Sequence, residues 1–442
     1  MPKVKSVDEW SGANNVSDPT ALPPPTRYSR AEALVEALNV DVLPSGGLHR
    51  RVGFQPVSDP DTYPDSVFHR LGKRFVYTDF KGDSFIQNAL TGEVRSVPVD
   101  PNSLPPYPGH MLTAVEHNNE LFGITNKGRA VRTDGVTMRR WGVPDLKATD
   151  VEKYPGTGGI PPGAYKVALT LVNAHGEEGA PYEVFLVESD TAFDLTLRPS
   201  KVNANAQGTE TVRVYMSADS GTTLYLQKEY PYFIEYTEYR PGVFGEYPRA
   251  TTIRTITTTG MEIVTQHLRQ PPRGNILCSH HGVILIANGK TLFYTTPLRV
   301  HQVDYRKGFF QFPSAITNVV SMDSGVYVTA DKTYFLPKLE TTDVSQHEVL
   351  DIPAVAGSAK RVSGNKAVWL TAYGMVIAED GGNTKFLHRD TYAIPLMDRA
   401  EVGIMQYNGL ELAVIMPRGA QHPNRLAYDV PKKSGTLPPP EP

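Results

Sequence analysis

The chain has 442 residues, 40% of them hydrophobic, which is enough for two or three packed domains and too many for one small one. Lys and Arg total 44 against 47 Asp and Glu, a formal charge of −3 that argues against a dedicated nucleic-acid binder, although a local basic patch is compatible with it. A single cysteine, Cys278, excludes any intrachain disulfide and fits folding in a reducing cytoplasm, and no apolar run approaches the roughly 20 residues of a membrane span.

Residues 1–40 read as an extended arm. The opening Met1-Pro2-Lys3-Val4-Lys5 has basic residues without an apolar core, so no secretory signal is expected. Pro23-Pro24-Pro25 favours polyproline II. Ser29 to Leu38 predicts one short helix, capped by Ser29 with Glu32 three residues on and an apolar face of Ala33, Leu34, Ala37 and Leu38. Asn39 to Phe54 then predicts a hairpin turning at Pro44-Ser45-Gly46-Gly47. Within it His49-Arg50-Arg51 reads as solvated strand charge in preference to a phosphate or acidic-partner contact, with Arg50 and Arg51 on opposite faces.

From Phe75 onward a pattern repeats: an apolar strand, a tight polar turn, a second apolar strand. Copies lie at 75–88, 120–135, 282–297, 325–337, 368–382 and 409–419. No such hairpin buries its apolar face alone, so several must pack together, and closure into a β-propeller is the usual solution to the open sheet edge. The pattern is interrupted after residue 150. Val151 to Pro162 is rich in Gly and Pro and reads as a linker. It is followed by alternating stretches that include Tyr165 to Leu171, Phe193 to Leu197 and Val212 to Ser217. These closely spaced strands predict an immunoglobulin- or fibronectin-like β-sandwich inserted between two blades. The expected organisation is all-β: an arm with a short helix over 1–40, the first part of a propeller over 41–150, the sandwich over 151–250, the second part of the propeller over 251–430, and a loose Pro-rich tail over 431–442.

The residues that could carry chemistry point elsewhere. Cys278 lies in a strand-like run and reads as a core cysteine, not a nucleophile, although alternation would put His280 on its face. His280 and His281 would diverge on a strand and so could not chelate one ion together. Gly156-Thr157-Gly158-Gly159 lacks the Gly-Lys-Ser/Thr ending of a phosphate loop, and a strand follows it where a helix would be needed. Asp83, Asp323, Asp331 and Asp380 fall in or beside expected turns, where Asp bonds its own backbone. Paired carboxylates of a glycosidase meet in space and not in sequence, which leaves that enzymatic alternative open. Trp141, Trp369 and Tyr373 could line a sugar site, but Trp369 and Tyr373 read as blade packing. No catalytic, metal or cofactor-binding residue is assigned.

Three stretches resemble the tail hub or nozzle proteins of short-tailed bacteriophages and related virion proteins. They are Trp10 to Asn15 with Ala37 to Val42 and Gly46 to Phe54; Gly163 to Pro181 with Val212 to Ser217; and Val368 to Val376. The resemblance implies a structural, non-enzymatic protein of the virion tail, assembled in the host cytoplasm into a ring, commonly a hexamer. Such a ring would sit below the portal or adaptor proteins, continue the channel for the genomic DNA without sequence-specific binding, and offer surfaces to tail fibres or spikes. A receptor- or glycan-binding propeller is the alternative.

Overall fold

The computed structural model describes residues 68–79, 83–101, 103–105, 107–202, 207–339, 345–387, 397–407 and 410–418, together with four short strands, Trp10–Ala13, Glu32–Leu34, Val40–Val42 and Leu48–Arg50. The described residues are all-β. They contain five four-stranded antiparallel meanders of the β-propeller blade type, each connected strand to neighbouring strand. The chain divides into two compact units, residues 59–311 and residues 1–58 with 312–442.

In the first unit the blades are built on the pairs Arg74–Thr78 with Ser84–Asn88, Glu120–Thr125 with Ala130–Thr133, and Val283–Asn288 with Thr291–Tyr294. Those are three of the six sequence hairpins, and in every blade the hairpin forms the two inner strands. Some outer strands are short and wet, and Val94–Ser96 is exposed throughout. Inner strands such as Glu120–Thr125 and Val283–Asn288 are buried on both faces because their blades are covered on two sides. Leu121 and Val131 of the second blade pack with Val76 and Ile86 of the first, whereas Phe122 and Ile124 pack with Ile284 and Ile286 of the third. Residues 121 and 122 thus serve opposite neighbours, as the two-residue period of a strand requires. The second and third blades are neighbours in space although more than a hundred residues separate them in the chain.

The intervening residues form the predicted β-sandwich. One sheet orders Ala148–Ile160, Phe193–Pro199 and Thr251–Ile253. The other orders Phe185–Ser189, Gly163–Val172, Gln207–Ser217, Leu224–Arg240 and Val243–Pro248. Leu169, Leu171, Phe193, Leu195, Val212 and Val214 meet in its core, all at most 1% exposed. Along Phe193–Pro199 burial alternates residue by residue, since only one face of each sheet meets the other.

The expected linker over 151–162 is therefore corrected. Residues 148–160 are a strand paired with Phe193–Pro199, and the register jumps between Pro155 and Ile160. The glycines make this irregular pairing possible: a Cβ on Gly158 would lie 1.8 Å from the backbone carbon of Phe193. What reads as linker composition is the composition of a bulge where two backbones touch.

In the second unit, blades are built on Gly325–Thr329 with Thr333–Pro337 and on Lys366–Thr371 with Gly374–Glu379, and a hairpin pairs Arg399–Tyr407 with Leu410–Arg418. Tyr327 and Phe335 of one blade pack against Trp369 and Val376 of the next. Tyr327 donates from its hydroxyl to the Glu379 carbonyl at 2.5 Å. The helix expected over 29–38 is also corrected at its centre: Glu32–Leu34 is a strand paired in parallel with Trp10–Ala13. A ten-residue helix is marginal in water, and pairing with another segment overrides its local propensity. Val40–Val42 pairs with Leu48–Arg50, as the predicted hairpin requires. The side chains of Arg50 and Arg51, Pro23 to Pro25 and the tail over 431–442 lie outside the described residues.

Candidate functional site

The most heavily constructed polar site lies where the sandwich meets the second and third blades. Its centre is the turn from Asn173 to Gly179. The Asn173 side chain holds this turn, accepting from the His175 and Glu177 backbone N–H groups at 3.0 Å each and donating from Nδ2 to the Glu177 carboxylate at 2.8 Å. Two consecutive glutamates then point in different directions. Glu177 reaches Arg132 of the second blade at 2.8 Å and lies 3.6 Å from Nδ1 of His301, which follows the third blade's inner strands. Glu178 turns into the sandwich, where it pairs with Arg213 at 2.7 Å and accepts from the hydroxyls of Thr170 at 2.6 Å and Tyr215 at 2.8 Å. The Glu178 carbonyl also accepts from the Gln302 amide.

Burial governs the electrostatics. Arg132 is only 5% exposed, and desolvation draws its pKa below the ordinary value while Glu177 opposes that shift. Burial pushes Glu177 upward, but Arg132, His301 and the Asn173 bond outweigh it and hold the carboxyl below the ordinary range. Desolvation lowers the pKa of His301. Glu120 adds a second acidic partner, 2.7 Å from Arg139 and 3.8 Å from Arg132. Beneath this network Trp141 is fully buried and donates from Nε1 to the Val300 carbonyl at 2.7 Å. The arrangement is a clamp: a sandwich turn is paired to two blades by buried ions whose separation would leave charges without partners.

Beside the clamp, a cavity of about 140 Å³ is lined by Arg139, Arg140, His175, Glu210, Asp100 and Ser103, among others. On the sandwich itself, one feature extends past the two-sheet core. Leu224–Arg240 pairs with Gln207–Ser217 in its first half, and its second half continues with Val243–Pro248 as a two-stranded ribbon. Eight residues of strand span roughly 25 Å. Tyr236 pairs with Glu246 and Glu238 with Phe244, so these four share one face of the ribbon. Tyr236 is 75% exposed and Phe244 58%.

The residues singled out from sequence are dispersed. Cys278 is half-buried, and Ser279 beside it bonds His117 Nδ1 at 2.8 Å. The divergence expected of His280 and His281 is corrected: their rings stand edge to face with centroids 4.3 Å apart. His281 has left the strand, with a φ of 38°, and forms a tight turn with Gly282. Among the described residues no three His, Cys, Asp or Glu side chains are grouped to hold a metal ion. Asp331 accepts from the nearby Tyr334 hydroxyl at 3.1 Å. Asp380 and Asp323 do more than close their own turns. Asp380 accepts from the Ser324 backbone N–H at 3.0 Å and hydroxyl at 2.6 Å, and Asp323 pairs with Arg361 at 2.6 Å, each joining one blade of the second unit to the next. Trp369 is core, as expected, whereas Tyr373 is 57% exposed. The clamp went unnoticed in the sequence because Arg132, Glu177 and His301 are far apart; the adjacent Glu177-Glu178 pair in an otherwise Gly- and Asn-based turn was the available signal.

No protein-family model and no curated protein matches this chain. Solved structures similar to it include a streptogramin B lyase (9% identity, covering 77% of this chain and 86% of that one, TM-score 0.30), YCF48 bound to a D1 peptide (10%, 76% and 82%, TM-score 0.25) and the Neurospora crassa Pan2 WD40 domain (10%, 72% and 76%, TM-score 0.26). These are propeller and WD40-type folds, and at such scores they carry no functional argument. The blades themselves define the class: an all-β protein of the propeller type, interrupted by a β-sandwich. Fold alone decides nothing about catalysis.

Proposed function

We propose that this protein is a structural component of a bacteriophage tail, a hub or nozzle-type subunit that assembles into a ring, joins the head-to-tail connector and offers its sandwich to fibres or spikes. The observation that carries this reading is the clamped insert: a sandwich inserted between adjacent blades, locked to both through Arg132, Glu177 and His301, and bearing a ribbon with aromatic and acidic side chains exposed together. A rigid mount and a protruding contact element suit a load-bearing docking module. The resemblance of Trp10 to Asn15, Ala37 to Val42, Gly46 to Phe54, Gly163 to Pro181, Val212 to Ser217 and Val368 to Val376 to such tail proteins points the same way.

Native mass spectrometry of the purified chain, with and without a connector ring from a short-tailed phage, tests the assembly. A closed ring, alone or on the connector, is expected; a monomer that ignores the connector overturns the reading. The exposed Tyr236 and Phe244 favour a second reading, a glycan- or receptor-binding propeller. Binding on a carbohydrate array that is lost in Tyr236→Ser, combined with a monomeric mass, would select it.

A further inference from the structure

A second opening in the first unit, separated from the cavity beside the clamp by the Arg140–Trp141 segment, lies between the second blade and the segment 270–273. It measures about 360 Å³, and Arg129, Arg140, Arg273, Gln270, Trp141 and Tyr305 contribute to its wall, with no carboxylate in the lining. Two left-handed glycines bring the walls together. A Cβ on Gly128 would lie 2.8 Å from Nε of Arg273, and one on Gly142 would lie 2.8 Å from Pro271 Cδ. Two of the guanidinium groups are fixed by carbonyls. Arg129 donates from Nη1 to the Tyr107 carbonyl at 2.9 Å, and Arg140 donates from Nε to the Ser103 carbonyl at 2.9 Å. Among the described residues none of the three is in an ion pair, whereas the clamp arginines 132, 139 and 213 all are. Acidic groups do lie behind the wall: Glu210 attracts Arg140 from the other cavity, and Asp145 is taken up by Arg269.

We propose that this groove is a binding site for a phosphate-bearing anion, held by Arg129, Arg140 and Arg273. Guanidinium groups recognise phosphate oxygens in bidentate fashion, and three of them around one opening call for more charge than a single carboxylate carries. The ligand is either a free polyphosphate or a phosphate of a nucleic-acid backbone; the groove's chemistry is common to both. The site stands independently of the tail assignment.

The test is isothermal titration of the full chain at low ionic strength with inorganic pyrophosphate, with a short single-stranded DNA oligonucleotide and with malonate. Saturable binding of pyrophosphate, weakened at least tenfold in Arg273→Ala and in Arg129→Gln, is expected for a free-anion site. Binding of the oligonucleotide alone, with the same two losses, assigns the groove to backbone phosphate. Malonate binding as tightly as either probe, binding unchanged in both variants, or no saturable binding of pyrophosphate or oligonucleotide overturns the proposal. Arg273 is exposed and its side chain supports no packing core, so its variant is expected to keep the parent unfolding temperature, which the same samples report.

Discussion

The blades and the sandwich of the first unit bury their apolar residues by different means. The sandwich closes on itself: its two sheets supply a single core, and a strand such as Phe193–Pro199 is dry on one face and wetter on the other. A blade has no core of its own. Each of its faces is completed by a neighbour, so Leu121 belongs to one cluster and Phe122 to the next. Self-contained burial makes a module that can be inserted into a chain, while shared burial makes an array whose members depend on one another.

Core truncations should break this contrast most forcefully. Phe193→Ala removes a fully buried ring from the sandwich and is expected to cost about 3–5 kcal/mol, and Phe122→Ala a similar amount in the blades of the same unit. Scanning calorimetry should show the first acting on a sandwich transition and the second on the blade transition. A single transition moved equally by both would mean that the insert is not an independent module. An excised fragment 143–258 should fold by the same reasoning, and a fragment carrying one blade should not.

Next in size are changes to the clamp. Glu177→Ala leaves the nearly buried Arg132 without its 2.8 Å partner, and roughly 3 kcal/mol of destabilisation is expected. Coupling should be visible in a double-mutant cycle with Arg132→Met: the pair should cost less than the sum of the single changes. Strict additivity would remove the clamp as a mechanical link.

Gly158→Ala forces a Cβ into the Phe193 backbone, and a loss of about 1–3 kcal/mol is expected in urea unfolding. Gly176→Ala, in open space at a φ of 77°, should cost less, since only backbone strain opposes it. If the two are equal, residues 148–160 are not a paired strand.

Acidification acts on the same joint more gently. Burial depresses His301 in the folded state, so the unfolded chain takes up the proton first. Stability should therefore fall as pH drops below the ordinary histidine value of 6.5, until the depressed folded value is passed. Glu177, also depressed, contributes stability above its ordinary value of 4.5 that is lost as pH falls through its lower folded value. Both act in the same direction, and His301→Gln should flatten the upper part of the profile while leaving the lower part. Least of all, Tyr236→Ser on the exposed ribbon should shift stability by no more than about 0.5 kcal/mol, so a loss of fibre attachment in that variant would report docking and not folding.

The elements legible in the chain are those with a strong local signal. Five of the six hairpins recur as the inner strands of blades, because such strands must be apolar and must be joined by tight turns; the sixth, expected over 409–419, is corrected to one strand, Leu410–Arg418, paired with Arg399–Tyr407. The shortest outer strands carry no such signal, for the complementary reason. Val94–Ser96 and Lys360–Val362 are three residues long, largely exposed, and held by hydrogen bonds to a partner that their own side chains do not announce. Composition misled at two places. Glycines that permit a close backbone approach at 158 and 159 look like a linker, and helix-forming residues at 32–34 accept a strand partner.

By itself, then, the sequence determined that the protein is all-β, that blade-type hairpins repeat, and that a sandwich interrupts them. These follow from periodicity and turn chemistry, which act over a few residues. Tertiary structure decided which blade faces meet, that the Asn173–Gly179 turn clamps the insert through Arg132 and His301, and that three arginines line one groove. Those outcomes depend on contacts between residues tens to more than a hundred positions apart, where burial and charge pairing, not local propensity, set the energy.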